Sequence, residues 1–214
     1  MGNSSAYNPG LERSRQRAQP SRMSQRDTAN PWLETVKTLG LSVVLALGIR
    51  HFVAEARYIP SQSMQPTLQV NDRLLVEKLS YRFGRPERGD IIVFSPPESL
   101  QFEQAFIKRV IGLPGETVAV RNGTVFINGQ AIQEPYLKAE PDYTYGPVEI
   151  PKRRYLVLGD NRNNSRDSHY WGFVPRKNII GHAFVRFWPP DRLGQIADPE
   201  YSAVPERRTV PQQR

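Results

Sequence analysis

The stretch Thr117-Val118-Ala119-Val120-Arg121-Asn122-Gly123-Thr124-Val125-Phe126-Ile127 predicts a β-hairpin. Two short runs rich in β-branched residues flank Asn122-Gly123, which is the strongest short signal for a tight hairpin turn. Helical periodicity is absent after residue 55. Further runs of the same type lie on both sides of the hairpin, at Arg73–Leu79, Asp90–Phe94, Ala105–Ile111, Tyr155–Leu158 and Ala183–Phe187. We therefore expect a mostly β domain over residues 55–190, an antiparallel barrel or packed sheets.

A single strongly apolar segment precedes these strands. Residues 38–49 carry no charge, and the 22 residues from Trp32 to Val53 suffice to cross a bilayer if Lys37 and Arg50 extend their charges to the headgroups. The pattern predicts a transmembrane helix over residues 32–54. Ala54-Glu55-Ala56 resembles a leader cleavage site, so a cleaved leader is the alternative. The long segment ahead of Trp32 favours an uncleaved signal-anchor.

Positive charge is concentrated ahead of the apolar segment. Arg50 and Arg57 follow it, whereas six basic residues precede it: Arg13, Arg15, Arg17, Arg22, Arg26 and Lys37. The positive-inside rule then places the N-terminus in the cytoplasm and residues 55–190 outside. Residues 1–31 are rich in Ser, Gln, Asn and Arg and predict a disordered cytoplasmic tail. Residues 191–214 predict a flexible C-terminal tail.

Composition excludes several kinds of chemistry. The chain of 214 residues has no cysteine, which rules out disulfides and thiolate sites, and its three histidines are too few and too scattered for a zinc site. The net charge of +8 suits anionic lipid or nucleic acid. Aromatic residues do not alternate with the N-terminal arginines, so we expect no nucleic-acid partner.

A serine attacks a carbonyl group only when a base removes its proton. Ser61-Gln62-Ser63-Met64-Gln65-Pro66 follows the apolar segment closely, which would place a hydroxyl just above a membrane. Lys108 lies in a predicted strand that is largely apolar on both faces. A buried lysine can lose its proton near neutral pH, whereas an arginine such as Arg109 cannot. The structural alternatives are an ordinary serine-containing turn and a lysine that reaches solvent from a sheet edge.

A long polar run, Gly159–Gly172, follows the predicted strand Tyr155–Leu158. It could be an ordinary surface loop. However, its end overlaps Tyr170-Trp171-Gly172-Phe173-Val174-Pro175, whose aromatic residues would anchor it to a core. Polar residues held against packed aromatics form fixed hydrogen-bond networks.

In combination, four blocks make the chain resemble the type I signal peptidases, the membrane-bound serine–lysine enzymes that remove signal peptides. The blocks, in order, are Ile59–Leu68, Arg88–Phe94, Ile107–Glu116 and Gly159–Pro175. The resemblance covers about residues 32–190. It implies a serine endopeptidase without metal or cofactor, monomeric and inserted once in the plasma membrane. Its partners would be the lipid bilayer and precursor proteins that carry signal peptides.

The resemblance also assigns roles to individual residues. Ser63 would be the nucleophile and Lys108 the general base, with the Ser63 N–H and the Ser61 hydroxyl as oxyanion donors. Ser165 would orient the Lys108 amine. Three charged residues would hold the polar loop through charge pairs: Asp160, Arg162 and Asp167.

The polar loop departs from the family pattern at two positions. Asn163 stands where the family commonly has aspartate, and His169 where it commonly has arginine. The second change leaves the partner of Asp167 open, because a neutral imidazole binds a carboxylate more weakly than a guanidinium does.

Three other functions compete with this interpretation. The first is a histidine triad built from Ser63 or Ser168 with His169 and Asp167. The second is a self-cleaving regulator with the same dyad, although no DNA-binding module precedes it. The third is a membrane-anchored basic binding protein without catalysis, whose charge would attract anionic lipid.

Overall fold

The computed structural model describes residues 2, 30–97, 100, 102, 104–197, 199 and 201. Helix α1 (Pro31–Phe52) comes first, and its segment Pro31–Ile49 is long and apolar enough to cross a membrane by length and composition. Its large apolar side chains, Leu39, Leu41 and Val44 among them, are exposed. The chain divides into two compact units between Leu41 and Ser42, and α1 runs through this division. Nearly all of the predicted N-terminal tail, residues 1–31, lies outside the described residues.

The unit from Ser42 onward contains a large antiparallel sheet. Its strands are β1 (Ala54–Tyr58), β2 (Arg73–Glu77), β3 (Ile91–Phe94), β4 (Phe106–Gly112), β9 (Arg154–Leu158), β10 (Val174–Pro175), β11 (Ile179–Trp188) and β12 (Gly194–Gln195). They hydrogen-bond in the order β1-β2-β11-β3-β4-β9-β10, with β12 on β11. Two one-turn helices accompany the sheet, α2 (Ser80–Phe83) and α3 (Ser168–Trp171).

The predicted hairpin forms the centre of a second, smaller sheet. Its strands, in the spatial order β7-β6-β5-β8, are β7 (Gln130–Ala131), β6 (Thr124–Ile127), β5 (Thr117–Arg121) and β8 (Tyr145–Glu149). Asn122 and Gly123 have φ values of 49° and 75°, as the tight turn between β5 and β6 requires. Strand alternation then directs Val118, Val120, Val125 and Ile127 into a core with Ile111, Leu156 and Leu158 of the large sheet. The predicted mostly β fold behind one apolar helix is confirmed.

Two predicted boundaries differ from the structure. The expected helix over 32–54 ends at Phe52, and Ala54 already pairs with Glu77 as the first residue of β1. The expected tail from residue 191 makes defined contacts in its described part, although several of its residues are exposed. Gly194 and Gln195 form β12, and Tyr201 contacts Tyr136 through their hydroxyls at 2.9 Å. These contacts were not predictable from the sequence, because a neighbouring strand can hold a polar segment that has no hydrophobic pattern of its own.

A buried ion pair joins β4 to the loop that follows β9. Arg109 is 1% exposed and Asp160 is fully buried. Two hydrogen bonds connect the guanidinium and the carboxylate, at 2.9 Å from Nε and 2.7 Å from Nη2. Arg109 also donates to the Gly89 carbonyl oxygen at 2.8 Å, and its guanidinium stacks over the Tyr136 ring. The paired carboxylate raises the pKa of Arg109 despite desolvation by burial, so the pair is ionic.

The substitution Asp160→Asn tests this pair. We expect the free energy of unfolding to fall by about 3 kcal/mol, because the Arg109 charge would remain buried without a compensating partner. Asp142→Asn, at an exposed carboxylate, is the matched control and should cost no more than about 0.5 kcal/mol. Urea unfolding of both variants in detergent gives the comparison. Equal small losses would show that the pair does not hold the loop.

Candidate active site

Ser63 and Lys108 meet in the lining of an open groove. Ser63 lies in the segment between β1 and β2, and Lys108 lies in the middle of β4. The Lys108 Nζ donates to the Ser63 Oγ at 2.8 Å and to the Ile107 carbonyl oxygen at 2.8 Å. Two side chains 45 positions apart in the sequence are thus within proton-transfer distance.

Burial changes the acidity of Lys108. Its side chain is 5% exposed, and desolvation lowers the pKa of Lys108 from 10.5 to about 8. The negative charges of Asp167 and Asp160 act in the opposite direction, but they are the smaller effects. Among the described residues, no carboxylate lies within ion-pair distance of Lys108. A large fraction of the amine is therefore neutral slightly above neutral pH, the form that can accept a proton.

A second hydroxyl lies next to the first. The Ser61 Oγ is 3.2 Å from the Ser63 Oγ, and both serines line the groove. This position allows Ser61 to donate a hydrogen bond to an oxygen that sits close to Ser63. The geometry is compatible with the oxyanion role that the resemblance implies.

The polar loop after β9 holds the serine segment through its backbone. The Asn161 N–H donates to the Ser63 carbonyl oxygen at 3.0 Å, and the Asn161 amide donates to the Gln62 carbonyl oxygen at 3.1 Å. The Thr67 hydroxyl donates to Asp160 at 2.5 Å. Since Asp160 is paired with Arg109, which adjoins Lys108 on β4, one connected network fixes both the serine and the lysine segments.

Gly159 begins this loop at a point of close approach. A Cβ atom built on Gly159 would overlap the Ser165 Oγ and the Ser63 carbonyl oxygen. Only glycine leaves room for the two segments to lie this close. The Gly159 N–H also donates to Asp167 at 2.9 Å, which ties the beginning of the loop to its end.

His169 is the partner of Asp167. Its Nδ1 lies 2.6 Å from the carboxylate, and its backbone N–H also donates to Asp167 at 3.3 Å. The imidazole stacks on the Tyr143 ring at a centroid distance of 4.0 Å. The histidine thus occupies the position where the resemblance expects arginine, and it satisfies the same carboxylate.

These contacts argue against the histidine triad. The Ser168 hydroxyl is fully buried and accepts a hydrogen bond from the Val157 N–H at 2.9 Å. In the described hydrogen bonds, His169 contacts Asp167 and not Ser63, whose nearest nitrogen partner is Lys108. Neither serine is therefore placed for deprotonation by the imidazole.

Ser165 lacks the contact that the resemblance suggests, whereas Arg162 makes a charge pair of the expected kind. Ser165 lines the groove, but its buried Oγ has no hydrogen-bond partner among the described atoms, so the expected bond to Lys108 is not formed. Arg162 binds Glu134 through two hydrogen bonds, at 2.8 and 2.6 Å. It also donates to the Gly159 carbonyl oxygen at 3.1 Å.

Sequence reasoning missed Glu134, Thr67 and Asn161, and it left the partner of Arg109 unnamed. Arg109 was recognisable as a cation in an apolar strand, and its burial implied a carboxylate somewhere. Glu134 carried no such signal, because it is 28 positions from Arg162 in an irregular segment. Thr67 and Asn161 were within quoted blocks, but only the folded contacts reveal their function.

The groove around Ser63 has a volume of about 720 Å³, which suits several residues of an extended peptide. Residues of three segments line it: 60–63, 104–108 and 164–166, together with Phe102. Arg166 contributes an exposed cation at its rim, with its guanidinium 5.7 Å from the centre of the Phe102 ring.

Comparison with known proteins assigns the family. A family model described as "Signal peptidase, peptidase S26" matches residues 32–188. "Signal peptidase I" of Leptolyngbya laminosa is 63% identical over 85% of this chain and 92% of its own length. "Probable signal peptidase I-2" of Synechocystis is 59% identical over 83% of both chains. "Probable thylakoidal processing peptidase 2, chloroplastic" of Arabidopsis thaliana is 40% identical over 83% of this chain and 49% of its own length. The chain therefore belongs to the signal peptidase family, peptidase S26, and is a serine peptidase.

Proposed function

We propose that this protein is a membrane-anchored endopeptidase that cleaves signal peptides from exported precursors with a Ser63–Lys108 dyad. The main support for this proposal is the 2.8 Å hydrogen bond between a buried lysine and a serine hydroxyl in an open groove. Membership of a peptidase family makes a purely binding function untenable.

In the proposed reaction, neutral Lys108 accepts the Ser63 proton as the Ser63 oxygen bonds to the substrate carbonyl carbon. The Ser61 hydroxyl and the Ser63 N–H donate to the resulting oxyanion. Lys108 then gives its proton to the departing amine, and an ester to Ser63 remains. Water gives a proton to the same amine as its oxygen attacks the ester carbonyl. The amine returns that proton to the departing Ser63 oxygen, and the signal peptide leaves with a new carboxyl group.

The substrate would bind as an added β-strand. Strand β3 pairs with β4 from Phe106 to Arg109, whereas β9 pairs with β4 only from Arg109 onward. On the β9 side, residues 105–108 therefore have no paired strand among the described residues, and this edge lines the groove. An extended precursor segment can take that place with alternate side chains directed into the groove. We expect small side chains one and three residues before the scissile bond.

Helix α1 is the proposed anchor, with the N-terminus in the cytoplasm and the catalytic unit outside. Ala54 and Ala56, which could mark a leader cleavage site, pair with Glu77 and Leu75 as parts of β1. Cleavage after Ala56 would remove three of the five residues of this edge strand, which favours an uncleaved anchor. The plasma membrane is the proposed host. The alternative is an internal membrane of the kind named for the thylakoidal relative.

Substitution of either dyad member should abolish cleavage. For Ser63→Ala and Lys108→Ala, we expect kcat on a purified pre-protein to fall by at least about 10⁴-fold, because the nucleophile or its base is lost. Gel analysis of pre-protein conversion by the reconstituted full chain measures this. Substantial activity in either variant would remove that residue from the proposed mechanism.

His169→Arg separates the dyad from the histidine triad. Arginine can still bind Asp167 but cannot act as a base, so we expect turnover within about threefold of the unmodified protein. His169→Ala serves as the companion variant and reports the structural cost of losing the Asp167 contact. If the arginine variant is inactive while its unfolding curve is unchanged, the imidazole takes part in proton transfer.

The pH dependence should follow the Lys108 amine. Catalysis needs Lys108 in its neutral form, and the pKa of Lys108 is about 8. Below that pH the neutral fraction, and with it kcat/KM, should fall about tenfold for each pH unit. It should reach a plateau above pH 8, until other groups titrate. A peptide without ionisable groups near its cleavage site is the appropriate substrate. A profile that stays flat down to about pH 5 would exclude Lys108 as the base.

Lys108 should also lower the stability of the fold. Its pKa is about 8 when folded but 10.5 in an exposed lysine, so the unfolded chain binds the proton more tightly. The penalty is complete below pH 8 and disappears as pH rises through 10.5. We expect Lys108→Met to be more stable by about 2 kcal/mol at pH 7, with the difference shrinking towards pH 10. Urea unfolding at several pH values measures it, and a pH-independent difference would contradict the shifted pKa.

A further inference from the structure

A strongly basic surface lies on the large sheet away from the groove. Three adjoining depressions share Arg153 and Arg176, and none of the described residues that line them is acidic. Eight basic residues line them: Lys78, Arg82, Arg85, Lys152, Arg153, Arg154, Arg176 and Lys177. We call this set the basic face. The proposed peptidase reaction uses none of these residues.

Half of these eight cations have no ion-pair partner among the residues that the structure describes. Lys78 binds Glu55 at 2.6 Å. By contrast, Lys152, Arg153, Arg154 and Lys177 make no ion pair with any described residue. These four side chains are exposed. Like charges held together at a surface repel one another, and a bound anionic ligand would relieve that repulsion.

Hydrogen bonds connect the chain segments that carry the basic face. The Arg176 N–H donates to the Arg153 carbonyl oxygen at 2.9 Å, and the Arg176 guanidinium donates to the carbonyl oxygens of Tyr81 and Gly84. The turn after β8, the residues after β10 and the loop around α2 are thereby joined. The cations are therefore presented together and not on independent mobile loops.

One edge of the basic face adjoins the end of α1. The Lys78 N–H donates to the Val53 carbonyl oxygen at 2.9 Å, and Val53 follows directly on α1. Val53 is only four residues beyond Ile49, where the apolar span ends. With α1 in a bilayer, this edge lies at the depth of the lipid headgroups.

An exposed aromatic side chain, Phe83, projects from the loop around α2. Phe83 is 90% exposed and Leu79 is 37% exposed, and both stand beside Arg82 in the loop around α2. An apolar side chain between cations is typical of a surface that binds a membrane interface. The apolar side chain enters the region where the acyl chains begin, and the cations bind lipid phosphates. An acidic polypeptide would explain the cations but not the aromatic tip.

We propose that the basic face binds the headgroups of anionic phospholipids and docks the catalytic unit against the bilayer. The inference rests on the proposed insertion of α1. Headgroup binding would add a charge-dependent attachment to the hydrophobic attachment that α1 provides. Docking would hold the catalytic unit at a fixed height above the bilayer.

Because the chain has no cysteine, a single thiol can report docking. Glu87→Cys, at an exposed site near α2, carries a fluorophore, and the full chain is reconstituted in vesicles containing a nitroxide-labelled lipid. We expect stronger quenching in phosphatidylcholine with about 30 mol% phosphatidylglycerol than in phosphatidylcholine alone. The difference should shrink as salt rises from about 0.05 to about 0.5 M.

A matched pair of charge variants localises the effect. Lys152→Glu with Lys177→Glu should lower the ratio of docked to undocked units about 25-fold or more in the phosphatidylglycerol vesicles. Arg121→Glu with Lys138→Glu makes the same change in net charge at exposed residues outside the basic face, and should leave the ratio nearly unchanged.

The outcomes separate this inference from the proposed function. Quenching that does not depend on phosphatidylglycerol, or equal losses in both double variants, would overturn headgroup binding at the basic face. Flotation of the full chain with phosphatidylcholine vesicles tests the α1 anchor independently. If the chain floats but shows no lipid-dependent quenching, the proposed α1 anchor stands and the proposed docking surface is excluded.

Discussion

The bidentate contact between Arg109 and Asp160 is the interaction on which the site depends. It is buried, and it connects the middle of β4 to the loop that holds the Ser63 backbone. Charge burial of this kind contributes little net stability, but removal of either partner is costly. The pair therefore acts chiefly as a constraint on position. It brings two segments distant in the sequence to a separation at which a proton can move between their side chains.

The cations at neighbouring positions of β4 lie in opposite electrostatic environments. Arg109 has a carboxylate partner and stays charged, whereas Lys108 has no such partner and approaches neutrality. Strand alternation makes this possible, since successive side chains point to opposite faces. A lysine at position 109 would be kept protonated by Asp160, and an arginine at position 108 could not lose its proton. The order of the two cations in the sequence thus has a chemical meaning.

The sequence was sufficient for the hairpin, the apolar helix and the pairing of Ser63 with Lys108, because each has a local pattern or a family motif. It was insufficient where long-range contacts decide. Strand β1 has the sequence Ala-Glu-Ala-Arg-Tyr and becomes a strand only because β2 lies beside it. Glu134 is selected by the buried charge of Arg162. The absence of the expected Ser165 bond to Lys108 depends on how the polar loop packs against β4, which no local sequence pattern determines.

The junction between α1 and β1 consists of Val53 alone. With α1 inserted as proposed, so short a tether confines the enzyme to a search in two dimensions. Precursors held in the same bilayer experience a high effective concentration of active sites, whereas freely diffusing polypeptides with identical cleavage sequences seldom encounter one. Selectivity for exported proteins would then come largely from shared confinement, and recognition of the cleavage sequence itself can remain permissive.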